Sequence, residues 1–173
     1  MIKEKIWTTA DKKEERFLHK KAEPFDFSEW KRGDIAILIR AMRSAMRKAK
    51  GIGLAANQVG LPYSVFVAEI PSKDGGKKFY SFFNPKIERM DGEHLLLEEG
   101  CLSVPGVYGL VERRERVLLS AFDKSGKAVK LKAWGLLAHV FQHETDHLNG
   151  MLFIEKVKHI IDQETYKEKR ANR

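Results

Sequence analysis

The five residues His143-Glu144-Thr145-Asp146-His147 constrain this chain more than any other stretch. Two imidazoles four positions apart share a face only where the backbone is helical, and there both rings reach a single metal ion. Glu144 lies about 100° round that helix from His143, near enough to act on water at such a metal without entering its coordination sphere. His139 makes a second i, i+4 pair with His143, but no glutamate follows it, so it reads as a neighbour and pocket wall. Leu136, Leu137, Val140 and Phe141 recur at helical spacing and Gly150 supplies a stop, which predicts a helix over Gly135 to Leu148.

Two histidines leave a catalytic metal one protein ligand short of its usual three. In the extended pattern H-E-x-x-H-x-x-G-x-x-H the glycine is met by Gly150, but the third histidine position holds Phe153. A downstream glutamate, Glu155 or Glu164, is a second source. Cys101 is the better one. It is the chain's single cysteine, so it has no partner for an intramolecular disulfide, and thiolate is a metal ligand in its own right. Standing alone, such a cysteine would read as a small buried hydrophobe.

Around this motif the chain reads as α+β. Ile35, Ile39, Met42 and Met46 alternate with Arg40, Arg43 and Arg47 at amphipathic spacing, predicting a helix from Gly33 to Lys50 with Asp34 as N-cap and Gly51 as the terminal glycine. Strands are predicted at Ser64 to Ile70 and Lys78 to Phe83, joined through Pro71 to Gly76 and ended by Asn84-Pro85. Further strands are predicted at His94 to Leu97, Arg116 to Phe122 and Ala128 to Lys132, with Asp91-Gly92 and Asp123 to Gly126 as turns. Residues 1–173 are expected to form one catalytic domain, with a basic, charged C-terminal helix or tail from about Ile160.

No stretch approaches the roughly 18 apolar residues a membrane span needs, and the charged first fifteen residues lack a signal core, so the expected compartment is the cytoplasm. A formal net charge of +8 suits a polyanionic neighbour such as ribosomal RNA, although the basic residues concentrate only modestly, at Arg40 to Lys50 and Lys167 to Arg173.

Three segments carry a resemblance: Gly51-Ile-Gly-Leu-Ala-Ala-Asn-Gln58, Glu99-Gly-Cys-Leu-Ser103 and Gln142-His-Glu-Thr-Asp-His-Leu-Asn-Gly150. In order and approximate spacing they are similar to the GxGLAxxQ, EGCLS and QHExDHLxG segments of the peptide deformylase family, over roughly Gly33 to Phe153. The resemblance implies antiparallel β-sheets around a central helix that presents both histidines. It implies removal of the N-formyl group from nascent polypeptides beginning with formylmethionine, releasing formate. Cys101, His143 and His147 then match the metal ligands, and Glu144 the acid/base. Gln58 and the backbone N–H of Leu102 match the donors to the formyl oxygen. Ile52, Gly53, Gly100, Leu136 and Val140 match the substrate pocket, with His139 and Leu97 as further wall candidates. Glu99 and Arg113 match a structural ion pair. The implied cofactor is one divalent ion, Fe(II) before Zn(II), Ni(II) or Co(II). Tyr108 stands where a common bacterial form carries arginine, and Ile2 to Trp30 holds only a loose echo of the family.

Two rival readings use the same residues. A thermolysin-like zinc peptidase would need only the helix motif and a glutamate. A basic ribosome-associated protein with a structural metal would need a closed shell of four ligands.

Overall fold

In the computed structural model, described over residues 5–72 and 74–166, the chain builds a six-stranded antiparallel sheet and three α-helices, an α+β fold. The helices are α1 (Lys12–Leu18), α2 (Arg32–Lys48) and α3 (Gly135–Leu148). The strands are β1 (Gly53–Ala55), β2 (Val65–Pro71), β3 (Lys77–Cys101), β4 (Val104–Phe122), β5 (Ala128–Trp134) and β6 (Val157–Ile161). They run in the order β1-β2-β3-β4-β5, with β6 added to β4. No helix among the described residues is long and apolar enough to cross a membrane.

β2 explains the layering. It is apolar on both faces because both are covered: Val65 and Val67 pack with the buried stripe Ile35, Leu38, Met42 and Met46 of α2, while Phe66, Ala68 and Ile70 pack with Ala138, Val140 and Phe141 of α3. The predicted metal helix is thus held between β2 and the C-terminal half of β4. A third cluster, Leu18, Val104, Val111, Leu152 and Phe153, packs against Cys101.

The helix limits at α2 differ from expectation in an instructive way. Asp34 lies inside the first turn, and the N-cap is Lys31, without a side-chain cap. At the other end Lys50 takes the left-handed conformation (φ 57°) and Gly51 N–H returns to Met46 C=O at 2.9 Å, a Schellman closure one residue early. Gly51 is needed for space instead: a Cβ there would lie 2.8 Å from the Leu102 side chain.

The stops predicted at Asn84-Pro85 and Asp91-Gly92 do not interrupt the chain. β3 runs through both, and the turn-forming residues (Asn84 φ 48°, Gly92 φ 79°) are absorbed as shifts of register against β4. β4 likewise starts at Val104, well before Arg116, because the tight turn at Leu102-Ser103 folds it straight back on β3. The helix expected from about Ile160 begins later. Val157–Ile161 is strand, helical residues occupy 163–166, and the tail expected at residues 167–173 falls outside the described ones.

Candidate metal centre

α3 presents His143 and His147 one turn apart, as the motif requires, and the end of β3 delivers Cys101 to the same point. Cys101 Sγ lies 3.1 Å from His147 Nε2, which lies 3.2 Å from His143 Nε2. All three donor atoms fall within 4.8 Å of one another. Two imidazole nitrogens on a tetrahedral cation at about 2.05 Å would stand roughly 3.3 Å apart, so the histidine edge fits a shared ion. Lone pairs facing each other at this distance also need a cation, or protons, between them.

The surrounding shell fixes these rings. Glu99, two residues before Cys101, accepts from His143 Nδ1 at 2.9 Å, which leaves Nε2 free to point inward. It also takes His139 Nε2 at 2.7 Å and Arg113 at 2.6 and 3.0 Å. Arg113 bridges on to Asp146 of α3, and Lys156 meets the other Asp146 oxygen at 2.6 Å. The expected Glu99–Arg113 ion pair is therefore present. His139 serves it rather than merely lining a wall. Asn57 donates to the His147 carbonyl at 2.6 Å.

Burial raises the Glu99 carboxyl, but hydrogen bonds from His139, His143 and Arg113 outweigh it and hold the group ionised, well below the usual range. Burial also raises the Cys101 thiol. The charge of His147 and bonds from both histidines reverse the sign and bring it to about 5, so a thiolate is available at neutral pH. His143 is held well above its ordinary value: burial opposes the charge, while Cys101 and Glu99 favour it.

Glu144 is the exception. It is 3% exposed, Oε2 has no hydrogen-bond partner, and burial pushes its carboxyl up to about 7, against the lowering pull of His143 and His147. A buried carboxylate with an unsatisfied oxygen and a pKa near neutrality suits proton transfer.

Gln58 sits on the 3-10 turn Ala56–Val59 that follows β1, 2% exposed. Its Oε1 accepts from Ala55 N–H at 2.9 Å, which turns Nε2 toward Ser103 Oγ at 3.1 Å and Cys101 Sγ at 3.6 Å. Leu102 occupies the turn directly after Cys101. Gly53 lies over Glu144 and Val140, and a Cβ there would overlap the Glu144 carboxylate. Gly100 faces the Tyr108 ring across the β3–β4 ladder. Ile52 and Leu136 are exposed apolar residues, whereas Val140 is buried and Leu97 half-buried. Ser103, Asp146 and Asn57 escaped the sequence reading. Each lies inside a quoted motif; Asn57 and Ser103 were marked only as polar residues beside apolar ones, and Asp146 carried no signal distinct from its polar neighbours.

Fold and site define a class: an α+β protein with an HExxH helix whose third donor is a cysteine thiolate from a strand end. The polypeptide deformylase family profile matches residues 4–163, including the N-terminal segment that the motifs left unassigned. The peptide deformylase of Thermodesulfovibrio yellowstonii is 42% identical over 125 residues, 72% of this chain and 75% of its own length. That of Chromobacterium violaceum is 47% identical over 122 residues, 70% and 71% of the two chains. Among solved structures, the Synechococcus elongatus peptide deformylase in complex with actinonin is 40% identical with a TM-score of 0.79, covering 88% of this chain and 79% of that one. The chain belongs to the polypeptide deformylase family, whose members are metal-dependent hydrolases.

Proposed function

We propose that this chain hydrolyses the formyl amide at the N-terminal formylmethionine of new polypeptides and releases formate, as one catalytic unit. The observation that carries the reading is the convergence of Cys101, His143 and His147 beside the unsatisfied Glu144 carboxylate. Cys101, His143 and His147 would hold one divalent ion. A mixed thiolate and imidazole shell accepts iron, zinc, cobalt or nickel, and we assign Fe(II) first on family resemblance. When bound, that ion supplies Lewis-acid chemistry, polarising the formyl carbonyl and lowering the pKa of water toward about 7.

The protein's own groups do the rest. Glu144, ionised, takes the proton of the attacking water and returns it to the leaving amine, acting as base and then acid. The Gln58 amide and the Leu102 N–H hold the formyl oxygen as negative charge develops there, and losing one such donor costs about 3 to 4 kcal/mol. The exposed Ile52 and Leu136, with Val140 behind Gly53, supply apolar surface for the methionine side chain.

The rivals lack support. Glu155 accepts from Leu152 N–H at 2.7 Å and caps its own turn, away from the histidine pair. A structural metal wants four protein ligands, and three gather here among the described residues. The test is formate release from a formyl-Met peptide by the parent and by a Glu144→Ala form that retains its metal. A fall of about a hundredfold or more is expected, and equal rates would remove Glu144 from the mechanism. Salt-sensitive ribosome association through Lys167 to Arg173 extends the proposal, to be dropped if deleting that tail leaves binding unchanged.

A further inference from the structure

We propose that Trp7 and Thr9 are positioning residues: the N-terminal segment is a strap that sets the two formyl-oxygen donors, Gln58 and Leu102, relative to one another. The inference rests on the function proposed above. Two backbone bonds carry it. Trp7 N–H donates to the Gln58 carbonyl at 2.7 Å, and Thr9 N–H donates to the Ser103 carbonyl at 2.9 Å. One acceptor is the backbone of a donor residue, and the other belongs to the residue directly after Leu102.

Those acceptors sit on separate and slight elements. Gln58 rides a four-residue 3-10 turn behind β1, which pairs with β2 alone. Leu102 and Ser103 are the two residues of the β3–β4 turn. The side-chain bond from Gln58 Nε2 to Ser103 Oγ links them inside the site, and the strap links them from behind. Donors must hold their geometry to about 0.5 Å to stabilise a transition state, so a brace between two short turns bears directly on rate.

The strap is itself anchored. Trp7 and Thr9 point their N–H groups toward the site, while Thr8 between them turns its N–H to Glu14 Oε2 at 2.9 Å on α1. The same buried Glu14 carboxylate takes Lys5. The Trp7 ring fills a notch over Gly60, the left-handed residue (φ 76°) that ends the Gln58 turn, where any Cβ would overlap the indole. Phe17 meets that ring edge-on at 4.9 Å. Farther along α1, Leu18 is fully buried in the cluster against Cys101, so the whole N-terminal unit is seated on the site's rear wall.

The experiment compares the metal-loaded full-length parent with Trp7→Ala, Glu14→Ala and Trp7→Phe in formyl-Met peptide hydrolysis, alongside metal content and the absorption of the Co(II)-substituted thiolate. Weakened positioning of oxygen donors lowers kcat and spares KM. Trp7→Ala and Glu14→Ala are expected to lose about tenfold in kcat with KM within about twofold, unchanged Co(II) absorption, and recovery of most of the rate in Trp7→Phe. Should Trp7→Ala not fold, Glu14→Ala carries the same comparison from the far side of the strap. Parent-like kcat in a folded variant whose Thr9 amide exchanges faster overturns the strap, as does a rate loss that simply tracks metal loss. A parent that releases no formate overturns the proposed function instead.

Discussion

Gly53 acts through the side chain it lacks. Its Cα lies so close to Glu144 and Val140 that a methyl group would displace the carboxylate. Gly53→Ala is expected to keep its metal and lose about a hundredfold in kcat/KM, the scale of a misplacement of about 1 Å at the reacting groups. Retention of rate would show that Glu144 has room to spare. The same carboxyl sets a pH limb. It must be ionised to accept a proton, burial outweighs the pull of His143 and His147 to put its pKa at about 7, and a bound cation would lower it, so kcat/KM should fall with acid along a limb centred below pH 7. Metal-replete Glu144→Ala should lack that limb. At this scale the sequence was legible where the pattern is local. The proposed ligands His143 and His147 and the proposed acid/base Glu144 lie in one short pattern whose spacing is local, whereas Cys101, Ser103 and Asn57 meet their partners across 46, 45 and 90 positions, which no spacing reveals.

At the scale of elements, α3 is joined to the β3–β4 ladder by a charge chain, Lys156–Asp146–Arg113–Glu99, that ends on His139 and His143. Arg113 and Glu99 are 3% and 4% exposed, so neither charge finds water if its partner goes. Arg113→Met should cost about 3 kcal/mol in urea unfolding, because it removes the guanidinium that bonds both buried carboxylates and leaves Glu99 to His139 and His143 and Asp146 to Lys156. It should weaken metal retention as well, since the Glu99 carboxylate that orients the His143 ring loses the guanidinium that fixes it. A cost under about 1 kcal/mol would mean that solvent reaches the site. The strands carrying this chain were the least legible part of the sequence. Asn84-Pro85 and Asp91-Gly92 have the composition of turns, and local propensity has no means of knowing that β4 continues alongside and turns them into bulges. α3, whose signal is a regular apolar stripe, has the limits the stripe predicts.

For the whole molecule, the apolar joint between α2 and the sheet is reinforced at its edge by one buried carboxylate. Glu69 on β2 is 5% exposed and takes Arg43 Nε at 3.1 Å and Arg47 at 2.9 and 2.7 Å. The bond from Arg47 leads, ahead of the opposing effect of burial, and with Arg43 it lowers the Glu69 carboxyl from 4.5 to about 2. A carboxyl depressed in the folded state adds stability that is fully present above its unfolded pKa and disappears as pH falls through the folded one, here from about 5 to about 2. Arg43 and Arg47 are themselves partly exposed, at 36% and 54%, so solvent screening reduces the contribution to about 1 to 2 kcal/mol. Glu69→Gln should therefore unfold at lower urea than the parent at pH 7, and the gap should close as both are taken toward pH 2. Acid also protonates the proposed metal ligands, but it does so in both proteins, so the difference between the two curves isolates Glu69. If the gap stayed constant with pH, packing of the Glu69 side chain rather than its charge would be its contribution to that joint.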